Sequence, residues 1–470
     1  MIKKVVSKIL ILAMIIQLFS VVAFAAEETT NGFKLIETAE LTDFGGTAYH
    51  YEHIKTGAEV VYLDNGSERK DFVLGFKTPP ADSKGANHVL EHSLLCGSDK
   101  YPINKIMHYL DGCTLAESVN AKTIDDCTYY EIKTANEKEY YGLMDIYLNG
   151  IFHPLFLKDK NIFKQQGIRL EYQDGKVRYN GVVYNELRIK SLDSEENSVS
   201  FLSDKLYHLL YGDTTPNFSS GGTVEAIKTL TYEDVLKVYN TYYIPSNSMT
   251  FIAGKQDINK TLKILDDIFK GFEKKSVDVQ LADTKKIPEQ TIYKYNIDEN
   301  TKSVDIGFMS TGALMSGNVT ERYARAIVFN ILLQKMNELY SSTYITGGNS
   351  GGIENSALLV SEISIENTEK VIEDYNKLLS NIETNGFDET LLDSTIASYF
   401  EEHKIPYYYP TEQYIFEGLL YNGNPFDFAY LSEAQKILTE NKGIFTDVLK
   451  QYFIENPWEC CANRVNRIIF

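Results

Sequence analysis

Residues His88-Val89-Leu90-Glu91-His92 place two imidazoles and a carboxylate inside five positions, and no other stretch restricts the local fold as tightly. At about 100° per residue, with His88 as zero, Glu91 lies at about −60° and His92 at about +40°, so an α-helix turns all three to one side. Leu90 and Leu94 fall on the opposite side, where a core can hold them. A zinc ion needs neutral imidazole nitrogens at about 2.0–2.1 Å from a rigid support, and histidines at i and i+4 offer two. Glu91 projects beside them, where a carboxylate can take a proton from a zinc-acidified water and deliver it to a leaving group. With 8 His and 65 acids in 470 positions, chance supplies H-x-x-[DE]-H roughly 0.02 times. A solvent-facing helix that carries both histidines is the ordinary alternative, so a third ligand is needed. Glu186 in GVVYNELRIK is the best candidate, because Val182-Val183-Tyr184 leads it toward an apolar environment in which a carboxylate is costly unless paired. Its alternative reading is a partner for a helix N-terminus.

The surrounding pattern places this motif on a helix. Glu59 to Asp64 and Asp71 to Phe76 are apolar, β-branched runs separated by a turn opening with Asn65-Gly66, which predicts a hairpin. A loop over 77–86 then enters a helix near Asn87, with Asn87 as its N-cap. Helical spacing recurs over 139–152, 197–211, 232–243 and 258–272, and Met249 to Gly254 reads as a strand. Periodicity fades over 273–290, the expected linker. A second series follows, with strands near 292–297, 303–310 and 358–365 and a long helix near 320–340. The class is α+β, and 470 residues exceed one typical core. The expected division is 1–26, 27–272, 273–290 and 291–470, with H-x-x-E-H only in the first domain.

Residues 1–26 read as a secretory signal: Lys3, Lys4 and Lys8, the apolar run from Ile9 to Ile16, then Ala23-Phe24-Ala25. Cleavage after Ala25 or Ala26 makes the protein secreted or otherwise extracytoplasmic, with no stable membrane insertion afterwards. Removing three lysines takes the formal net charge from −19 to −22. Such a surface repels nucleic acid and anionic lipid and draws basic peptides. The five cysteines are Cys96, Cys113, Cys127, Cys460 and Cys461; none has zinc-finger spacing, and most are expected as small buried hydrophobes.

GANHVLEHSLLCGSDKYP and the later GVVYNEL resemble the pitrilysin/insulinase superfamily of zinc peptidases, most nearly its presequence protease branch. SVNAKTIDDCTYY, FSSGG and YYIPSNSMTFIAG continue the resemblance, which is strong over about 40–270 and diffuse over 290–455. It implies two related domains, each an antiparallel-rich sheet packed with helices, of which the second binds no metal. It implies one Zn2+ per chain on His88, His92 and Glu186, with Glu91 as general base, and hydrolysis of unstructured peptides. Glu171 in RLEY is the nearest match to a supporting acid, and Asn120-Ala121 match an edge strand that aligns the substrate backbone. The resemblance further implies that the chain is the N-terminal half of a chamber, to be completed by a second copy or a separately encoded half, or else a crippled remnant. An Arg/Tyr pair that positions the substrate carbonyl in the family's second half has no equivalent here. QYFIENP matches the close of the first half, whereas WECCANRVNRIIF departs from the strand expected there, as a premature stop or frameshift would. Two rival readings remain open: a non-catalytic subunit that keeps the fold, and an acidic binding module with accidental histidines. The other histidines, His108 among them, are expected to be ordinary packing residues.

Overall fold

The computed structural model describes residues 29–43, 45–104, 106–195, 215–277, 293–295, 302–310, 318–350, 353–404, 424–455 and 457–462. The expected signal, the helix expected over 197–211 and most of the expected linker lie outside the described residues.

The first sheet has eight strands: β1 (Thr29–Thr30), β2 (Phe33–Glu40), β3 (Thr47–His53), β4 (Glu59–Asp64), β5 (Lys70–Lys77), β6 (Ser118–Ile124), β7 (Cys127–Thr134) and β10 (Ser248–Ala253). Their spatial order is β1-β2-β3-β4-β10-β5-β7-β6. The short hairpin β8 (Arg169–Gln173) and β9 (Lys176–Asn180) stands apart as a two-stranded sheet. Helices α1 (Ala86–Leu94), α2 (Ile106–Cys113), α3 (Glu137–Phe152), α4 (Lys160–Gln166), α5 (Val182–Glu195), α6 (Tyr232–Tyr242) and α7 (Ile258–Phe269) complete this half. Because alternate residues of a strand face opposite ways, Val60, Tyr62, Phe72, Leu74 and Phe76 meet Val89, Leu90 and Leu94 of α1 and Tyr140, Met144 and Tyr147 of α3 in one core. Val61, Leu63, Val73 and Phe251 face the other way and pack with Phe426 and Ala429 from the second half. Both faces are therefore covered, which is why β4, β5 and β10 read as continuous apolar runs.

The second sheet has the order β11-β15-β12-β14-β13, with β11 (Tyr293–Tyr295), β12 (Ser303–Ser310), β13 (Thr343–Ser350), β14 (Ile353–Ser364) and β15 (Pro457–Ala462). Against it lie α8 (Val319–Leu339), α9 (Thr368–Asn385), α10 (Glu389–His403), α11 (Leu431–Glu440) and α12 (Gly443–Val448). Ile306 and Phe308 of the sheet join Ile327, Val328 and Leu332 of α8 and Tyr375 and Leu379 of α9 in a separate core. Among the described residues, no helix is long and apolar enough to cross a membrane.

Three local expectations are corrected. β4 and β5 do not form a hairpin, because β10 lies between them, parallel to β4 and antiparallel to β5. All six residues of β10 are buried, and Lys255 N–H donates to Ser67 O at 2.7 Å, so the returning chain fills the space a hairpin turn would close. Asn87 is not the cap of α1. The cap position is Gly85, left-handed at φ 78°, while Asn87 Nδ2 donates to Thr78 O at 2.6 Å and ties the helix start to the end of β5. Pro457–Ala462 does form a strand, antiparallel to β12 and parallel to β11; main-chain pairing asks only for an extended backbone.

Candidate metal centre

The site starts from the way α1 is held. Val89, Leu90 and Leu94 are fully buried against the sheet, which fixes the helix rotation and turns His88, Glu91 and His92 the other way. Gly85 at its start packs backbone to backbone on Gly222, where an added Cβ would come within 2.8 Å of Gly85 Cα. That close approach brings Gly221 O to 3.1 Å from His88 Nδ1. The carbonyl therefore selects the tautomer with a proton on Nδ1 and leaves the lone pair of Nε2 facing Glu186.

α5 delivers the third group. Glu186 Oε2 lies 3.4 Å from His88 Nε2 and 3.6 Å from His92 Nε2, and one ligand atom from each residue falls within a 4.8 Å spread. Among the described residues these three form the cluster of metal-ligand character. Burial opposes charge on His88, but its hydrogen bond to Glu186 and the charge of Glu91 outweigh that and raise its pKa. For His92 burial prevails and its pKa is lowered. Burial also opposes the Glu186 charge, yet its His88 hydrogen bond and the nearby His92 lower its pKa overall.

Glu91 is 6% exposed, and one of its oxygens, Oε2, accepts from Thr123 Oγ1 at 2.7 Å. It borders a cavity of about 580 Å³, shared with His92, Glu186, Asn120, Ala121 and Gln166. β6, which carries Thr123, Asn120 and Ala121, is an edge of the eight-stranded sheet. There Ala121 N–H donates to Asn120 Oδ1 at 2.9 Å, and Tyr147 Oη donates to Asn120 O at 3.2 Å. His92, Glu91, Glu186, Asn120 and Ala121 are thus brought to one cavity, with His88 at its margin through Glu186.

Glu171 is not among these residues. It lies on β8, where Arg169 Nη2 donates to it at 3.0 Å and Asn180 Nδ2 also donates to it. Asn180 Oδ1 in turn accepts from Asn185 Nδ2 at 2.9 Å, one residue from Glu186. Its link to the site is this brace on the start of α5.

Sequence reasoning missed four contributors. Gly221 O and Thr123 stand in FSSGG and SVNAKTIDDCTYY, segments whose likeness was visible without a role for either residue. Gln166, whose amide donates to the buried Cys96 Sγ at 3.0 Å, carried no signal; burial pushes the Cys96 thiol up to about 12. His108, expected among apolar residues, is exposed and borders the cavity, because α2 turns it outward. Cys96 and Cys127 are buried and Cys113 exposed, all three unpaired.

Two family descriptions match the chain: "Insulinase (Peptidase family M16)" over residues 75–197 and "Peptidase M16 inactive domain" over 229–399. The chain belongs to the pitrilysin/insulinase superfamily. It is 31% identical over 464 residues to Protein HypA of Clostridium perfringens, covering 92% of this chain and 47% of that protein. It is 34% identical over 252 residues to the mitochondrial presequence protease of Eremothecium gossypii, covering 53% of this chain and 24% of the relative. The fold matches the crystal structure of pitrilysin with a TM-score of 0.64 at 14% identity, covering 93% of this chain and 47% of pitrilysin. The matched chain thus spans about half the length of these relatives, or less. The residues matched by the inactive-domain description include α8, α9 and β12 to β14.

Proposed function

We propose that this superfamily member is a zinc-dependent endopeptidase acting on unstructured peptides. The observation that carries the reading is the convergence of His88, His92 and Glu186 beside a cavity that also exposes Glu91 and a sheet edge. Two imidazoles and one carboxylate are the donor set of an open zinc site. Tetrahedral ligands at about 2.1 Å stand about 3.4 Å apart, which the 3.4 and 3.6 Å separations around Glu186 match. When bound, zinc supplies Lewis acidity toward a carbonyl oxygen and acidifies a water. Glu91 receives the proton of the attacking water and passes it to the leaving amine nitrogen, while the Thr123 hydroxyl keeps its carboxylate from rotating. Gly221 O keeps His88 oriented, and the Glu171–Asn180–Asn185 brace keeps Glu186 in place. β6 takes the substrate as an added strand, which requires an extended backbone and so selects unfolded peptides. The test is hydrolysis of an unstructured peptide with and without chelator, beside metal analysis: zinc-dependent turnover is expected, and turnover that survives complete metal removal would refute the assignment.

Two further parts of the proposal rest on other observations. Alignment of the chain with about half of its relatives supports a partner, a second copy or a separately encoded half, that closes the cavity. Sedimentation with a peptide assay decides this, since a zinc-loaded monomer whose rate stays proportional to concentration throughout dilution needs no partner. The amino-terminal lysines and apolar run support export, and a mature chain beginning at residue 26 or 27 outside the cytoplasm is the expected product.

A further inference from the structure

The β8–β9 hairpin is inside out. Leu170 pairs with Tyr179 and Tyr172 with Val177, so the four share one face, and they are 65, 41, 75 and 64% exposed respectively. The opposite face carries Arg169 against Asn180 and Glu171 against Arg178, and Arg169, Glu171 and Asn180 are the partly buried members. A slip of one residue would exchange the two faces. What holds the observed register is the chain of hydrogen bonds from Arg169 through Glu171 and Asn180 to Asn185. Its polar face serves to brace the helix that bears Glu186, and that leaves the apolar face turned to solvent.

The hairpin leads directly into the helix that bears Glu186: β9 ends at Asn180 and α5 begins at Val182, and the Tyr179 ring lies 5.9 Å from the Tyr184 ring. Val182, Glu186 and Ile189 stand at i, i+4 and i+7 on α5, one side of the helix, and Val182 and Ile189 are 38 and 61% exposed. Val182 is about 6 Å along the helix from Glu186, and the hairpin beyond it adds about 17 Å. We infer that this surface is an exosite, which holds apolar side chains of a long, unstructured peptide substrate while a bond some three to seven residues away lies at the metal centre. The inference rests on the peptidase reading. Its size favours a peptide over a protein partner: two short strands and a helix turn offer on the order of a few hundred Å², below the roughly 800 Å² per side of a stable chain–chain contact. An extended peptide at about 3.3 Å per residue spans the same distance in a handful of residues.

The test uses two fluorogenic peptides with identical residues around the cut, one of about six residues and one of about sixteen with apolar residues in its distal part. In the full chain carrying Leu170→Ser, Tyr172→Ser and Val177→Ser, the ratio of kcat/KM for the long peptide to that for the short one is expected to fall about tenfold, through KM, with zinc content intact. An unchanged ratio, an equal loss on both peptides, or a loss of zinc would overturn the exosite. A change from dimer to monomer on sedimentation would equally overturn it, by showing a subunit contact. Anisotropy of the labelled long peptide on the Glu91→Gln protein, with and without the triple substitution, reads binding without turnover, and about tenfold weaker binding is expected. Weaker binding together with no cleavage by the wild-type chain would sink the peptidase reading and leave the surface a peptide-binding one. Cleavage of both peptides with no change in anisotropy would sink the exosite and leave the peptidase.

Discussion

The two halves of the chain solve the same packing problem, a sheet covered by helices, with different helices in the leading position. In the second half α8 buries Tyr323, Ala324, Ile327, Val328, Ile331 and Leu332 and carries no metal-ligand cluster among the described residues. In the first, α1 runs for nine residues, gives its apolar positions to the core and puts His88 and Glu91 into partly dry surroundings at 9 and 6% exposure. Polar groups held that way cost stability unless paired. The difference teaches that the layer architecture does not require the polar cluster: a sheet covered by helices forms in both halves, and His88, Glu91 and His92 are an addition to one of them.

The largest effect tests the graft at its chemistry. Glu91→Gln should lower kcat by about 10²–10⁴-fold, the usual worth of a general base, while one zinc per chain and the thermal stability are retained. Wild-type turnover in that variant would remove Glu91 from the mechanism. His92→Ala or Glu186→Gln acts on the ion itself. Metal affinity should fall at least about 100-fold, a larger loss than an outer-shell change produces, while the metal-free chains keep the first half folded. If either substitution unfolds the first half without metal present, the ligands are structural and the contrast between the halves fails.

Glycines sharpen the comparison one step further out. Gly222 has φ 92° and an added Cβ would meet Gly85 Cα at 2.8 Å, whereas Gly386 has φ 80° and nothing within 4 Å of an added Cβ. Gly222→Ala should therefore combine backbone strain with a shift of the Gly221 carbonyl from His88, weakening metal binding about 10–100-fold. Gly386→Ala, at the end of α9, should carry strain alone and leave metal affinity as it was. Equal metal affinities in the two variants would show that the Gly221 carbonyl does not position His88.

What could be read from the sequence divides along the same line between local and distant interactions. The helical face of His88, Glu91 and His92 follows from spacing alone, and the strands Glu59–Asp64 and Ser303–Ser310 carry their own apolar patterns. Glu186 is legible as a candidate from its apolar lead-in, but its pairing with the two histidines needs the resemblance, because 94 positions separate it from His92 and no periodicity links them. The β4–β5 hairpin was misread for a related reason: the strand that separates them begins at Ser248, and adjacency in sequence says nothing of a partner that arrives so late. Gly221 O and Thr123 were invisible because a main-chain carbonyl and a lone hydroxyl leave no pattern. The strand Pro457–Ala462 was missed because its pairing depends on backbone, not on the Trp and Cys side chains that drew attention.

The smallest expected effect lies where the two halves meet. α11 begins after Tyr430, which provides no side-chain cap. Its first turn is instead served by the other half: Asp43 Oδ2 accepts from Ser432 N–H at 2.9 Å, and Asp43 Oδ1 accepts from the Ser432 hydroxyl. A carboxylate there satisfies an orphan donor and complements the positive end of the helix, together worth about 0.5–1 kcal/mol at an exposed site. Asp43→Ala should therefore lower the unfolding temperature of the second half by about 1–4 °C, and Asp43→Asn, which keeps an acceptor, by less. Metal affinity should not move in either variant, because the cap touches neither α1 nor α5. A fall in metal affinity would mean that the halves are coupled through this contact, and the site in the first half would then depend on the second.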